Sequence, residues 1–446
     1  MLKKNLSRRQ FLSSAAAAGV FSIVPRHVLG GKNYTAPSGK VNVAGVGIGG
    51  MGAGNLNSLK SQNIVALCDV DHGAERVLNV FKTYPNAKRY RDYRVMLENQ
   101  KDIDAVLIAT PDHTHHHITI AAMKAGKHVF CQKPMAHTPV EAREMTRVAK
   151  ETGVVTQMGI QGHSQGGIRS ICEWIWDGAI GKVEKVDAWC SLAYYPPGPW
   201  WCTTHYDIPK EKPPVPDGLD WDLWLGPAPV RDYHPTYHPS RWRAWYDFGC
   251  GMMGDRGVHT LDSVFMALKL TQPQSVSASV SNLNNQTHPI SSIVNYYFDA
   301  RENLPPVKLT WYEGIEAPRP EELEDKRRMY SQGGVVFKGE KASIMCGVYG
   351  NNPRIIPEAK HKAYTKPEKT IPRIKTSHEM EWIGAIKENR KASADFEYSG
   401  PLTEFVLLGN IAKRVQSIIR YDAENMKITN NDKANEFMHK EYRTGW

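Results

Sequence analysis

The sequence predicts an α/β protein: a doubly wound parallel sheet towards the N-terminus, followed by a domain built on an antiparallel sheet. Three observations lead there. Between residues 41 and 133, short apolar runs alternate with amphipathic helical stretches, the pace of strand–helix–strand units. The first run ends in a glycine cluster, Gly47-Ile48-Gly49-Gly50-Met51-Gly52. Beyond about residue 155 the pattern changes, and runs at 183–195, 275–281, 293–298, 307–311 and 334–346 read as strands of an antiparallel sheet.

The first run, 41–46, is short and rich in β-branched residues. Two registers of G-x-G-x-x-G overlap here, and the one beginning at Gly47 leaves Val46 as the strand end. In that register Gly47 permits a tight turn, Gly49 lets backbone approach a pyrophosphate, and Gly52 lets the next helix pack on the strand. The helix N-terminus then offers N–H groups to phosphate. A second strand, 63–69, ends in an acid 17 residues after Gly52. An acid there accepts hydrogen bonds from adenosine ribose hydroxyls and repels a 2′-phosphate, so Asp69 favours NAD over NADP, with Asp71 as the nearby alternative. The run 103–110 ends at Thr110 and continues as Pro111-Asp112-His113-Thr114-His115-His116-His117. No metal is expected here, because alternating histidines splay around a helix axis. After a helix from 118, a strand at 127–132 stops on Lys133-Pro134. Gly47, Asp69, Thr110 and Lys133 all fall at carboxyl ends of strands, the edge where open parallel sheets bind ligands.

In the second half, Gly254-Asp255-Arg-Gly-Val-His259 starts a helix, and its spacing puts Asp255 and His259 on one helical face. Oxidation of a carbinol needs a base for the hydroxyl proton, and histidine suits that work. Asp255 then orients the imidazole or binds a neighbouring hydroxyl, and Lys133 polarises the forming carbonyl or relays the proton.

These strings resemble the glucose–fructose oxidoreductase/inositol dehydrogenase (Gfo/Idh/MocA) family. The matching residues are the glycine cluster at 47–52, Cys68-Asp69-Val-Asp71, Ala109-Thr110-Pro111-Asp112-His113-Thr114-His115, Cys131-Gln132-Lys133-Pro134 and Gly254–His259. The resemblance runs from about residue 40 to the end. It implies an N-terminal Rossmann domain (38–158) and a C-terminal α+β domain (159–446) with a large open, mainly antiparallel sheet. It also implies NAD, held by Gly47, Ile48, Gly49, Gly50, Met51, Gly52, Asp69, Thr110, Pro111, Asp112, His115, Gln132 and Lys133; that the NAD is tightly bound is an expectation from export rather than from the resemblance. By resemblance the catalytic group is Lys133, Asp255 and His259, the substrate is a sugar, inositol or derivative, and the protein is a homo-oligomer. One departure stands out: the family's usual glutamate before the lysine is Gln132, an amide that hydrogen-bonds a ribose without charge.

The segment 192–245 is crowded with Pro, Trp and Tyr, and nine of the twelve tryptophans fall between 174 and 245. Aromatic rings pack on the C–H faces of sugars. Tyr194, Tyr195, Trp200, Trp201, Trp242 and Trp245 are the candidates, and core or interface packing accounts for most of the others. Near the end, 378–386 reads as an amphipathic helix, and 401–418 reads as another with a Leu-Thr-Glu start.

Hydrophobic content of 41% and charged content of 23% suit a chain that buries a real core. Of the net charge of +10, the first 32 residues hold +6, so the rest has no basic block and nucleic-acid binding is not expected. Ser7-Arg8-Arg9-Gln10-Phe11-Leu12, followed by a short Ala/Ser-rich apolar stretch, resembles a twin-arginine export signal occupying 1–32. A folded, periplasmic destination follows, with the Tat export machinery as partner and a retained signal as the variant that keeps the protein at the membrane. Seven unpatterned cysteines fit folding in a reducing compartment before export, and no C-x-x-C pair suggests zinc. A free nicotinamide pool is not expected outside the cytoplasm. Two alternatives to a net dehydrogenase therefore stand: a glycosidase that oxidises, eliminates and reduces with one recycled cofactor, and a sugar-binding relative without turnover.

Overall fold

The computed structural model describes residues 39–446, so the arginine pair and the apolar stretch after it lie outside the described residues. Six strands form the first sheet: β1 (Asn42–Val46), β2 (Asn63–Cys68), β3 (Lys88–Tyr90), β4 (Ala105–Ile108), β5 (His128–Cys131) and β6 (Thr156–Met158). Their order is β3-β2-β1-β4-β5-β6, and every pairing is parallel. Helices cover both faces, so β4 is buried at all positions, which is why it reads as an unbroken apolar run. The order reverses between β1 and β4, and the crevice at that switch point is where such sheets bind ligands.

The helix Pro139–Thr152 shows how local sequence sets an element. Thr138 accepts from the Glu141 N–H, Glu141 caps back, Pro139 occupies the first turn, and Gly153 ends the helix at φ +67. One face of the first sheet is completed from far along the chain. The helix His378–Glu388 brings Trp382 and Ile383 into the same core as Val43, Leu67 and Phe130, with the Trp382 and Phe130 rings 5.7 Å apart.

The second sheet has nine strands: β7 (Val183–Cys190), β8 (Ser275–Val280), β9 (Ser292–Phe298), β10 (Val307–Glu313), β11 (Gly334–Gly339), β12 (Ser343–Gly347), β13 (Arg354–Ile356), β14 (Ile419–Asp422) and β15 (Lys427–Ile428). Their order is β13-β12-β11-β7-β10-β9-β8-β14-β15, and only β7 and β10 pair in parallel. Helices Gly166–Trp176, Val258–Ala267 and Phe396–Val415 lie against it and join it to the first sheet.

Three expected elements are redrawn. The run 334–346 is a hairpin, β11 and β12, because the chain reverses at Glu340-Lys341, where Gly339 N–H bonds to the Ala342 carbonyl at 3.0 Å. β7 stops at Cys190, since Tyr194 and Tyr195 turn away to other partners. The last long helix starts at Phe396, capped by Asp395, whose carboxylate accepts from Tyr398 N–H at 3.1 Å. Pro401 lies inside that helix, so a proline there did not mark its start. All seven cysteines are free. No helix among the described residues is long and apolar enough to cross a membrane.

Candidate active site

One cleft of about 550 Å³ runs from the carboxyl edge of the first sheet into the second domain. Its inner wall is the glycine turn after β1. Gly47 sits at φ +77, and a Cβ there would lie 2.7 Å from the Thr110 amide nitrogen, so only glycine lets β1 and β4 end side by side. A Cβ on Gly52 would collide with the Gly47 carbonyl. Gly47, Gly49, Gly50 and Met51 line the cleft, whereas Ile48 is fully buried and Gly52 packs behind the turn. No side chain caps the helix Met51–Ser58, so its first N–H groups are open to an anion. This cradle fits the pyrophosphate of a dinucleotide.

Asp69 faces the cleft, and its carboxylate braces the glycine turn by accepting from Ile48 N–H at 2.8 Å and Gly49 N–H at 3.2 Å. Its Oδ1 accepts from Asp71 N–H at 3.0 Å, and burial raises its pKa. Three of its roughly four lone-pair sites are used, and the last remains for a ribose hydroxyl. Asp71 lines the cleft beside it. It accepts from Gly73 and Ala74 N–H and pairs with His238 at 2.8 Å. His238 belongs to a strap from the second domain. In the same strap Gly218 accepts from His72 N–H and from Arg91, and Asp220 N–H donates to the Val70 carbonyl at 2.9 Å. The adenosine end of the cleft is thus roofed by the other domain.

At the far end, Lys133 follows β5 and donates to the Asp255 carboxylate and, at 3.0 Å, to the Asp255 carbonyl. The other Asp255 oxygen accepts from the Tyr194 hydroxyl at 2.8 Å, with Arg243 Nε 3.9 Å away. Despite its burial, Lys133, Arg243 and Tyr194 hold the Asp255 carboxyl well below the usual range, so it is ionised. His259 lies in the same cleft, but its partner is not Asp255: Nδ1 has no hydrogen-bond partner, and the ring stands edge-on to Tyr349 at 5.0 Å. Burial, then the charges of Lys133 and Arg256, push its pKa well down, leaving a neutral imidazole. The expectation that Asp255 orients the imidazole is therefore corrected: Asp255 orients the lysine. The backbone differs too. Met253–Gly257 is a π-turn leading into the helix Val258–Ala267, and it carries the Asp255 carbonyl back to Lys133.

The remaining predicted residues divide between lining and support. Thr110, Pro111, Asp112 and Gln132 line the cleft. Asp112 accepts from Cys250 N–H at 2.9 Å and so anchors the turn that carries Asp255. Gln132 is buried; its amide donates to Asn55 at 2.9 Å, and Asn55 donates to Glu379 at 2.7 Å. The amide that replaces the family's glutamate is thus held by neighbouring side chains. His115 lies behind the cleft, with Nδ1 2.7 Å from the Pro134 carbonyl and Nε2 2.9 Å from the Thr110 carbonyl. Two carbonyl partners require both ring nitrogens to carry protons. Burial alone would lower its pKa, but the Cys131 sulfur, the Asp112 carboxylate and the Pro134 carbonyl carry it up to about 9. This imidazolium ties the ends of β4 and β5 together.

The histidine run behaves residue by residue. His113 is buried between the Phe248 and Trp224 carbonyls. His116, His117 and Glu141 bring three potential ligand atoms within 4.8 Å of one another. Glu141, however, already accepts from Lys440, Tyr442 and two backbone N–H groups, and the lysine charge opposes a cation. Among the aromatic candidates, Trp245 and Tyr195 are buried away from the cleft, Trp242 is buried in its wall, and Trp200, 71% exposed, lines it with Trp201. Tyr194 is buried and reaches Asp255 through its hydroxyl alone. Sequence reasoning missed Arg243, Arg256, Gln161 and Tyr349 at this end. It also missed Tyr93 and Trp446 at the adenosine end. Arg256 lies inside the Gly254–His259 string but was given no role; the others lie in no motif.

Two family models match the chain. One, an oxidoreductase family with an NAD-binding Rossmann fold, covers residues 40–160; the other, that family's C-terminal alpha/beta domain, covers 199–446. The chain belongs to the Gfo/Idh/MocA oxidoreductase family. Inositol 2-dehydrogenase of Salmonella typhimurium is 31% identical over 147 residues, 32% of this chain and 43% of that protein. D-glucoside 3-dehydrogenase of Escherichia coli is 29% identical over 35% of this chain and 43% of its own. The alignments thus span under half of these relatives' length. Among solved structures, the WlbA dehydrogenase from Bordetella pertussis, in complex with NADH and UDP-GlcNAcA, superposes with a TM-score of 0.59 at 17% identity. It covers 86% of this chain and 99% of that one. Levoglucosan dehydrogenase in complex with NADH and levoglucosan gives 0.57 at 18% identity, covering 85% and 99%. At these identities the superpositions establish the fold.

Proposed function

We propose that this protein is an NAD-dependent oxidoreductase that moves hydride between a carbinol carbon of a sugar, glycoside or cyclitol and the nicotinamide. The observation that carries the reading is the single cleft with an open glycine turn and Asp69 at one end and Lys133, Asp255 and His259 at the other. NAD, when bound, supplies the hydride acceptor. Neutral His259 takes the hydroxyl proton. Lys133, fixed by Asp255, stabilises the developing oxyanion, and Tyr194 holds Asp255 in place. Relatives named as inositol, levoglucosan and D-glucoside dehydrogenases support a polyol or sugar substrate.

A second reading, a recycled-cofactor cycle that ends in glycoside cleavage, is favoured by the roof over the adenosine end, where His238 and Asp71 close the strap at 2.8 Å. A cofactor retained under that roof suits export through the Tat machinery into a periplasm without free NAD, as the arginine pair suggests. A homo-oligomer belongs to this reading through the resemblance alone. Mass spectrometry of products tests the two readings. Mature protein is incubated with a panel of glycosides without added NAD. Free sugar means a recycled cofactor; a product lighter by two hydrogens, growing only with added NAD or an acceptor sugar, means net oxidation. No product under either condition sinks both.

A further inference from the structure

The mouth of the cleft carries a feature that hydride transfer to a single sugar ring does not need. Tyr194 anchors a loop to Asp255 through its hydroxyl at 2.8 Å, and the loop closes on itself where Thr203 N–H bonds to the Tyr194 carbonyl at 2.7 Å. Trp200 lies within this loop and lines the same cleft as Lys133 and His259, with its indole 71% exposed. Trp201 stands perpendicular to it, ring centroids 5.5 Å apart at 90°. The Trp201 Nε1 is buried and has no hydrogen-bond partner, a donor left unmet inside the wall of the mouth. An indole this exposed costs hydration free energy in the free protein, and an unmet buried donor costs more.

We propose that Trp200 and Trp201 form a second subsite that binds the ring attached to the reacting sugar. The substrate is then a glycoside with a second sugar or aryl ring, not a free monosaccharide. The inference rests on the reading of Lys133 and His259 as the reacting end and names the substrate class of that site. The reacting ring lies at Lys133; the second ring stacks its C–H face on the Trp200 indole, with the Trp201 ring set perpendicular beside it. Gln161 and Tyr349 line the same cleft and offer further polar partners.

Isothermal titration of the NAD-loaded protein tests this with a panel of glucose, methyl glucosides, maltose, cellobiose and p-nitrophenyl glucosides, for wild type and for Trp200→Ala and Trp200→Phe. Wild type is expected to bind at least one two-ring ligand about tenfold more tightly than its one-ring counterpart. Trp200→Ala should erase that preference and leave one-ring binding unchanged, and Trp200→Phe should keep most of it. Equal affinities across the panel overturn the subsite. So does a Trp200→Ala variant that weakens all ligands alike, or one that changes only the oligomeric state by sedimentation, which would assign the ring to an interface. A two-ring preference with neither NADH nor released sugar upholds the subsite and sinks the reading of Lys133 and His259 as the reacting end instead.

Discussion

Lys133 and His259 divide the chemistry by environment. The lysine is charge-paired with Asp255, while burial keeps the imidazole neutral. Lys133→Ala should lower kcat by about 100-fold or more, with the fold and NAD retained, as removal of an oxyanion donor does. Steady-state kinetics beside a tryptophan-fluorescence titration of NAD checks it, and full activity in the variant removes Lys133 from the site. His259 predicts the pH profile. A base with a lowered pKa stays unprotonated as the pH falls, so the acid limb of kcat/KM should lie below the ordinary histidine value of about 6.5. A limb at or above that value would contradict a neutral buried imidazole. Lys133 and Asp255 were each legible because they sit in recognisable strings, but their contact with one another was not, since Asp255 was read as the partner of His259. Arg243 and Tyr349 were not, since nothing in their flanks marks them and only tertiary folding brings them to the cleft.

At the scale of elements, β1, β2, β4 and β5 were readable because burial within the sheet writes apolar runs, whereas β3 and β6 were not, being three residues each with no apolar run. The hairpin of β11 and β12 was missed although the polar Lys338-Gly339-Glu340-Lys341 interrupts the two apolar runs, because 334–346 was read as one strand. The π-turn before His259 was also hidden, since one extra residue in a helical turn leaves the spacing of a normal helix in the sequence. The helices Phe396–Val415 and Pro139–Thr152 meet where a Cβ on Gly400 would overlap the Thr146 hydroxyl. Gly400→Val should therefore destabilise the protein by about 1–3 kcal/mol through overpacking. Urea unfolding checks it, and an unchanged midpoint would mean that the two helices slide apart freely.

For the whole molecule, His115 couples stability to pH. Its folded pKa of about 9 lies above the ordinary 6.5, so its contribution is complete below pH 6.5 and disappears as the pH rises through 9. The unfolding free energy should fall by on the order of 3 kcal/mol across that window. His115→Gln should flatten the slope, and an unchanged slope would assign it elsewhere. The strap gives a second global test: His238→Ala should leave Asp71 without its partner and speed NAD release about tenfold, read by fluorescence after mixing with excess ADP-ribose. An unchanged release rate would mean that the strap does not gate the cofactor. The domain pattern was legible as two blocks of different periodicity, but the cross-domain bonds of His238 and Asp112 were not, because no local signal pairs residues so far apart.

The helix His378–Glu388 lays Trp382 against Phe130 in the first sheet. That places a time order on synthesis. The nucleotide-binding half is translated early, yet the part of one apolar face around Phe130 stays uncovered until the ribosome has passed residue 388. Until then the nascent sheet has an adhesive side, which a chaperone or a premature partner can occupy. The complete nucleotide-binding core therefore exists only after release of nearly the whole chain, and a fragment ending before Ser377 should collect in inclusion bodies.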